Sequence, residues 1–551
     1  MKVRDLFLPL LATTVLLTAC AQAGPGVGPA QEPEAAKPAT GISCEPGKEV
    51  WRSPGPPKRG GTMVRAADAS DHLDVPKGGR QALGSMPQVY QGLFNLRGCF
   101  GTDTNPAPDL AESWQVSSDG RTWTLKMRSG AKWHNKPPVN GRPFTSQDAA
   151  WMIEHQKREG MSAAYWQGVT AETPDAFTLV LRTAEPDADL LSKMAYPQNV
   201  MMPKEIKEQF GDFRTVAAGT GAWMLKEFRP NQETVLEPNP DYWEMGEDGK
   251  RLPYLAEVRG PMFTDYAAEL GAMRAGRIDT NTLSGLRKLD ADDMKKAFPK
   301  YHAWELVQFP YQALWVNLSR KPFDDARVRK AAQLALDRED TVIANRGAVA
   351  HSGFIQPFLV DYAWPEEKVK EKFKADPARA KRLLAEAGFP NGTPEFEMHT
   401  STVFAEDAEL VQRQLENVGI KTKITAIPGT FTPIWTRLDW DMAWGAPGAT
   451  LWVGGWAGDI VRTGSSRNAM KFSDPRVDRL ADAQAQELDP VKRKELIDQQ
   501  QDLLYEIMPW VPGMPKVFFH FVGCRVKNCM QIQPAYNGRS IVQGWIDETG
   551  C

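Results

Sequence analysis

A chain of 551 residues has room for two or three hydrophobic cores, because a single core stops growing near about 250–300 residues. Its 66 Lys and Arg against 69 Asp and Glu leave a formal net charge of −3. That balance excludes the basic excess of a nucleic-acid binder and the charge-rich, apolar-poor make-up of a disordered chain. The longest apolar run, residues 6–17, falls short of the roughly 20 residues a spanning helix needs, which excludes a polytopic membrane protein.

The N-terminus reads as an address. Lys2 and Arg4 form a positive flank, residues 6–17 a short apolar stretch, and Leu17-Thr18-Ala19-Cys20 a small-residue cleavage site, the pattern of an exported chain. The last four residues resemble a bacterial lipobox, whose cysteine is lipidated as the first mature residue. Residues 1–20 are therefore expected to be a lipoprotein signal peptide, and diacylglycerol on Cys20 would hold a soluble domain outside the cytoplasmic membrane. Residues 21–57, rich in Ala, Gly, Pro and Gln, read as a flexible tether. Export permits disulfides. Cys524 and Cys529 could close a tight loop, while the pairing of Cys44, Cys99 and Cys551 stays open. No Cys-x-x-Cys spacing with neighbouring His suggests a metal site.

Along the folded part, Gly60-Gly61-Thr62 opens a strand over 63–67. Residues 113–116 and 121–127 alternate apolar and polar around Ser118-Asp119-Gly120, a β-hairpin pattern. Thr145 followed by Asp148 starts a helix that places Trp151, Met152 and His155 on one face. Residues 177–181 and 223–228 read as strands. Thr264 is expected to cap a helix bearing Ala267, Leu270 and Met273, and Asp324 or Asp325 one bearing Val328, Ala331, Ala332 and Ala335. Asp376-Pro377 and Asp474-Pro475 are N-cap and N1 proline signals. Amphipathic helices follow over 406–418 and 492–508, with a strand over 421–427. Strands mixed with many helices predict an α/β protein with mixed sheets.

Residues 435–467 carry Trp435, Trp440, Trp444, Trp452 and Trp456 with Gly and Pro between them. Aromatic faces on loops suit the floor of a binding cleft. His134, in Lys132-Trp133-His134-Asn135, reads as a satisfied structural histidine. No HExxH, GxSxG, GxxxxGK[ST] or strand-borne GxGxxG motif supplies an enzyme's machinery.

Several segments carry a family likeness. They are Pro108-Asp109-Leu110-Ala111-Glu112-Ser113-Trp114, residues 118–125 and 131–135, Gly219-Thr220-Gly221-Ala222-Trp223, Asn239-Pro240-Asp241-Tyr242-Trp243, Ala275-Gly276-Arg277-Ile278-Asp279, residues 315–339, and residues 376–389. In this order and spacing the chain resembles the family 5 solute-binding proteins of ABC importers, the oligopeptide-, dipeptide- and nickel-binding class. The resemblance implies two α/β lobes joined by hinge strands, a large type II periplasmic-binding-protein fold, with an insert domain on the first lobe. Lobe one would take 58–95, 215–312 and 516–551, the insert 96–214, and lobe two 313–515. The hinge would cross near Asn317 and return near Pro512–Pro515.

The implied function is capture of a small solute, a short peptide first, in the interlobe cleft by a monomeric receptor without a cofactor, for delivery to an ABC permease. Glycan fragments or another non-peptide solute are the alternative, and an exported hydrolase a remoter one. Candidate ligand-binding residues are Tyr90, Trp223, Trp444, Trp456, Asp459 and Arg462. Gly455-Trp456-Ala457-Gly458-Asp459 is similar to the Gly-Trp-x-Gly-Asp of dipeptide-binding members, whose aspartate pairs with the peptide's amino group. Counting back from Ser473-Asp474-Pro475, however, the family segment falls on Trp444-Gly445-Ala446-Pro447, which has no acid. Either Asp459 serves from a shifted loop or the amino anchor is absent.

Overall fold

Gly60 and Gly61 both take positive φ (101° and 79°), a conformation that suits glycine. This turns the chain into the strand Thr62–Val64 and brings Gly61 against Ile546, where a Cβ would lie 3.1 Å from the Ile546 Cβ. The computed structural model describes residues 55–77, 86–96, 106–160, 162–282, 285–307, 312–345, 349–428, 431–437, 439–447, 450–528 and 541–549, all within the unit Cys44–Cys551. The signal peptide with Cys20, nearly all of the tether, and Cys44, Cys99, Cys529 and Cys551 lie outside the described residues. Cys524 is disulfide-bonded.

The first sheet has five strands. Thr62–Val64 pairs in parallel with Glu257–Phe263, which continues antiparallel through Glu233–Pro238 to Trp223–Arg229. The expected strand over 63–67 is split: Ala67–Asp68 resumes beside Met262 and Phe263 after Arg65 bridges to Thr280.

A separate four-stranded antiparallel sheet orders Ala111–Val116, Thr122–Met127, Thr178–Arg182 and Thr170–Asp175. Its hairpin is the expected one, with Gly120 at positive φ and its N–H donating to the Ser117 carbonyl at 2.8 Å. The helix Ser146–Glu159 begins as predicted. The Thr145 N–H donates to the Asp148 carboxylate at 2.9 Å, Met152 and His155 are buried, and the half-buried Trp151 stacks on His155.

The other five-stranded sheet orders Thr422–Ile427, Phe396–Ser401, Met442–Gly445, Ala313–Val316 and Trp510–Pro512. The first three are parallel, joined in part by a crossover through the helix Ala405–Val418, and Ala313–Val316 is antiparallel to both neighbours. Two helix starts differ from the sequence reading. Asp265, not Thr264, caps Tyr266–Arg274 by accepting from the Ala268 N–H. Asp489 caps Pro490–Ile507, so that helix begins before residue 492. In each case a carboxylate supplies a strong charged acceptor for the free first-turn amides.

Two antiparallel strand pairs follow one another along the chain. His302–Val307 pairs antiparallel with Val517–Val522, and just beyond them Ala313–Val316 pairs antiparallel with Trp510–Pro512. Where the chain returns, the Gly513 N–H donates to the Gln312 carbonyl at 3.0 Å. A Cβ on Gly513 would meet that oxygen at 2.4 Å, so only glycine fits. Asn317 stands at the other end of Ala313–Val316. Its N–H donates to the Asp441 carbonyl and its amide to the Trp440 carbonyl. It closes a strand end.

Candidate functional site

The Gly219-Thr220-Gly221 turn seats the first group of candidates. His134 is buried, with Nδ1 accepting from the Gly219 N–H at 3.1 Å and Nε2 facing the Gly221 carbonyl at 3.0 Å. Burial depresses its pKa to about 4, so it is the neutral imidazole this geometry requires. The turn is drawn so close to residues 88–90 that a Cβ on Gly219 would lie 1.8 Å from the Val89 carbonyl oxygen, and one on Gly221 2.4 Å from that of Gln88.

Tyr90, held there, is buried, and among the described residues its hydroxyl has no hydrogen-bond partner. Burial raises its pKa far above the usual phenol range. It lines a pocket with Gln91, Asp109, Tyr196 and Tyr242. The Gln91 amide N–H donates to the Asp109 carboxylate. Trp223 is fully buried at the head of its strand and is a core side chain.

Trp444 ends the strand Met442–Gly445. Its indole N–H donates to Gln312 Oε1 at 2.7 Å. Gln312 Nε2 donates in turn to Asp407 at 2.9 Å, and Lys516 Nζ lies 2.9 Å from the same carboxylate. This chain of groups borders a pocket.

The remaining tryptophans depart from the expected cleft floor. Trp435 packs on Trp315 and Trp440 at 4.7 and 6.2 Å, and Trp456 is fully buried with its indole N–H on the Thr450 carbonyl. The Gly and Pro between them let the loops fold the rings inward, where burial gains more than exposure. Trp452 packs edge-on against Tyr165 and Tyr196 at 4.6 and 5.4 Å.

Asp459 closes a single π-turn, Gly455–Asp459. About 35% of its side chain is exposed, and its carboxylate is 3.8 Å from Arg467 Nη1. Burial pushes its pKa up, against the pull of Arg467 and Lys193. Arg462 is held by Asp482 at 2.8 Å. Among the described residues no group of three or more His, Cys, Asp or Glu could hold a metal ion, and no helix is long and apolar enough to cross a membrane.

Residues 105–470 match the model of the bacterial extracellular solute-binding proteins, family 5. The chain belongs to this family. It is 25% identical over 484 residues to the glutathione-binding protein GsiB of Salmonella typhi, covering 82% of this chain and 86% of that protein. It is 26% identical over 521 residues to the periplasmic oligopeptide-binding protein OppA of Salmonella typhimurium, covering 81% and 91%. The ABC transporter-associated periplasmic binding protein DppA of Helicobacter pylori, solved with the peptide STSA, superposes with a TM-score of 0.72 at 20% identity. That match covers 89% of this chain and 99% of that one. The fold is thus the two-lobed one, and the protein is an extracytoplasmic solute-binding receptor of the ABC-importer class.

In this family 5 receptor the predicted residues fall into separate neighbourhoods. Tyr90 lines one pocket and Trp444 another, Asp459 lies within the field of Arg467 and Arg462, and Trp223 and Trp456 are fully buried. Sequence reasoning missed Tyr165, Tyr196, Gln312, Asp407 and Lys516. It also missed Asp189, whose carboxylate is 2.6 Å from Arg493 with both side chains only 6% exposed. Trp452, which Tyr165 and Tyr196 pack against, was visible in the tryptophan-rich stretch. The others gain meaning from partners distant in sequence.

Proposed function

We propose that the receptor captures a short peptide between its two lobes and delivers it to an ABC permease, anchored to the cell membrane through lipid on Cys20. The observation that carries the capture mechanism is the paired crossing at Gln312 and Gly513, beside the Trp444 cavity. Two strands absorb the rotation while each sheet stays rigid. Closure excludes water and strengthens each polar contact made to the solute. The solute drives closure only through its preference for the closed state. The peptide reading rests on the printed ligands of relatives, the oligopeptide and glutathione binders and the peptide-bound DppA.

A non-peptide solute is the second reading. Trp444-Gly445-Ala446-Pro447 has no acid, and Asp459 already faces Arg467 and Lys193, which lowers its value as an ammonium anchor. Native mass spectrometry of the mature protein, purified without refolding, separates the two. Retained masses matching short peptides support the first reading. Retained masses of a sugar series move the receptor to the second, and a chemically altered product in the cleft would indicate turnover and contradict both.

A further inference from the structure

The cavity beside Trp444 has a polar demand that the protein leaves unmet. Gln333, on the helix Ala326–Ala335, is 1% exposed and lines this cavity. Among the described residues, neither its amide oxygen nor its amide nitrogen has a hydrogen-bond partner. A buried donor and acceptor left unmade are costly, so native structures rarely keep both on one side chain.

The charged groups around it are already engaged and balanced. Asp407 is shared by Lys516 and Gln312. Arg338 donates to the Ser352 and Pro512 carbonyls and lies 4.7 Å over the Phe373 ring. Asp337 accepts from the Glu339 and Asp340 N–H groups as a helix cap. The lining thus carries two cations and two anions, and Gln333 adds to it one neutral donor–acceptor pair. An amide matches it: its carbonyl accepts from Gln333 Nε2 and its N–H donates to Oε1. A carboxylate would meet only the first and repel the second, and a hydrocarbon would meet neither.

We propose that this cavity is a specificity subsite of the receptor that takes a side-chain carboxamide of the captured solute, read by Gln333. This rests on the solute-capture reading for its biological use. The chemistry of the cavity is testable without it.

Two measurements separate the proposal from that reading. In the first, N-methylacetamide is titrated into the mature protein while the indole N–H resonance of Trp444, assigned by Trp444→Phe, is followed. Saturable movement of that resonance, abolished in the shape-conserving Gln333→Leu variant, is expected. No movement, or movement unchanged in the variant, overturns the subsite whatever the receptor transports. In the second, Ala-Gln-Ala, Ala-Glu-Ala and Ala-Met-Ala are compared by calorimetry. Preference for the amide by at least about tenfold, collapsing in Gln333→Leu, supports the proposal. Equal binding of all the peptides overturns the subsite and leaves peptide capture standing. Binding of none, together with a saturable amide response of Trp444, supports the subsite and removes the peptide reading.

Discussion

Asp189 and Arg493 offer the sharpest perturbation. Their carboxylate and guanidinium meet at 2.6 Å, and each side chain is 6% exposed. They join the segment before the helix Leu190–Met194 to the long helix Pro490–Ile507. Gly454 lies so close that a Cβ there would stand 1.9 Å from Asp189 Oδ2. Beside them the Ala188 N–H donates to the Ala485 carbonyl, and Trp452 packs against Tyr165 and Tyr196.

Replacing Asp189 by Asn keeps the shape and leaves a buried guanidinium without its counter-charge. Arg493 retains bonds to the Ala188 carbonyl and Gln484 Oε1, which places the loss at the lower end of the usual range, about 3 kcal/mol. Arg493→Met strands the carboxylate and should cost about 3–5 kcal/mol. The double variant should recover part of the sum, with a coupling of at least about 1 kcal/mol. Urea unfolding and solute affinity are both to be measured. If the two segments separate on opening, the loss appears as affinity weakened by about a hundredfold, and otherwise as a lower unfolding free energy. Single variants within about 1 kcal/mol of the parent in both assays, the value of an exposed ion pair, would refute the reasoning.

Gly219→Ala should lower the urea midpoint by the equivalent of about 1–3 kcal/mol, because its Cβ has no room against the Val89 carbonyl; an unchanged midpoint contradicts the close approach. His134 has a folded pKa of about 4, lowered by burial, against about 6.5 when unfolded. The unfolded chain therefore binds the proton first as pH falls. Stability present above pH 6.5 should drop by about 3 kcal/mol on the way down to about 4, and His134→Gln should flatten that slope in urea titrations across the range. Cys20→Ser should move the protein from the membrane fraction to the soluble one, and a variant that stays membrane-bound refutes lipid anchoring.

Local chemistry made parts of the fold legible. Ser118-Asp119-Gly120 names its own turn, Asp376-Pro377 and Asp474-Pro475 start helices where they stand, and Gly419 takes the left-handed end of its helix at φ 98°. The glycines of Gly219-Thr220-Gly221 were visible, but their reason, the approach of residues 88–90, was not. The site was harder to see. Alternation and helical period say which face is buried but not against what, so the full burial of Trp456 was not legible in the tryptophan-rich stretch. Asn317 drew attention through its motif, whereas nothing local announced that the Gly513 N–H meets the Gln312 carbonyl. Asp189 with Arg493, and Gln312 with Asp407, pair across long stretches of chain, and no local pattern announces them.

The central claim is capture by closure. The mature protein, stripped of retained solute by unfolding and refolding, should be examined by small-angle X-ray scattering before and after the released solute is returned. A smaller radius of gyration on return, saturating with binding, is the predicted result. A scattering profile unchanged by a solute that demonstrably binds would contradict it.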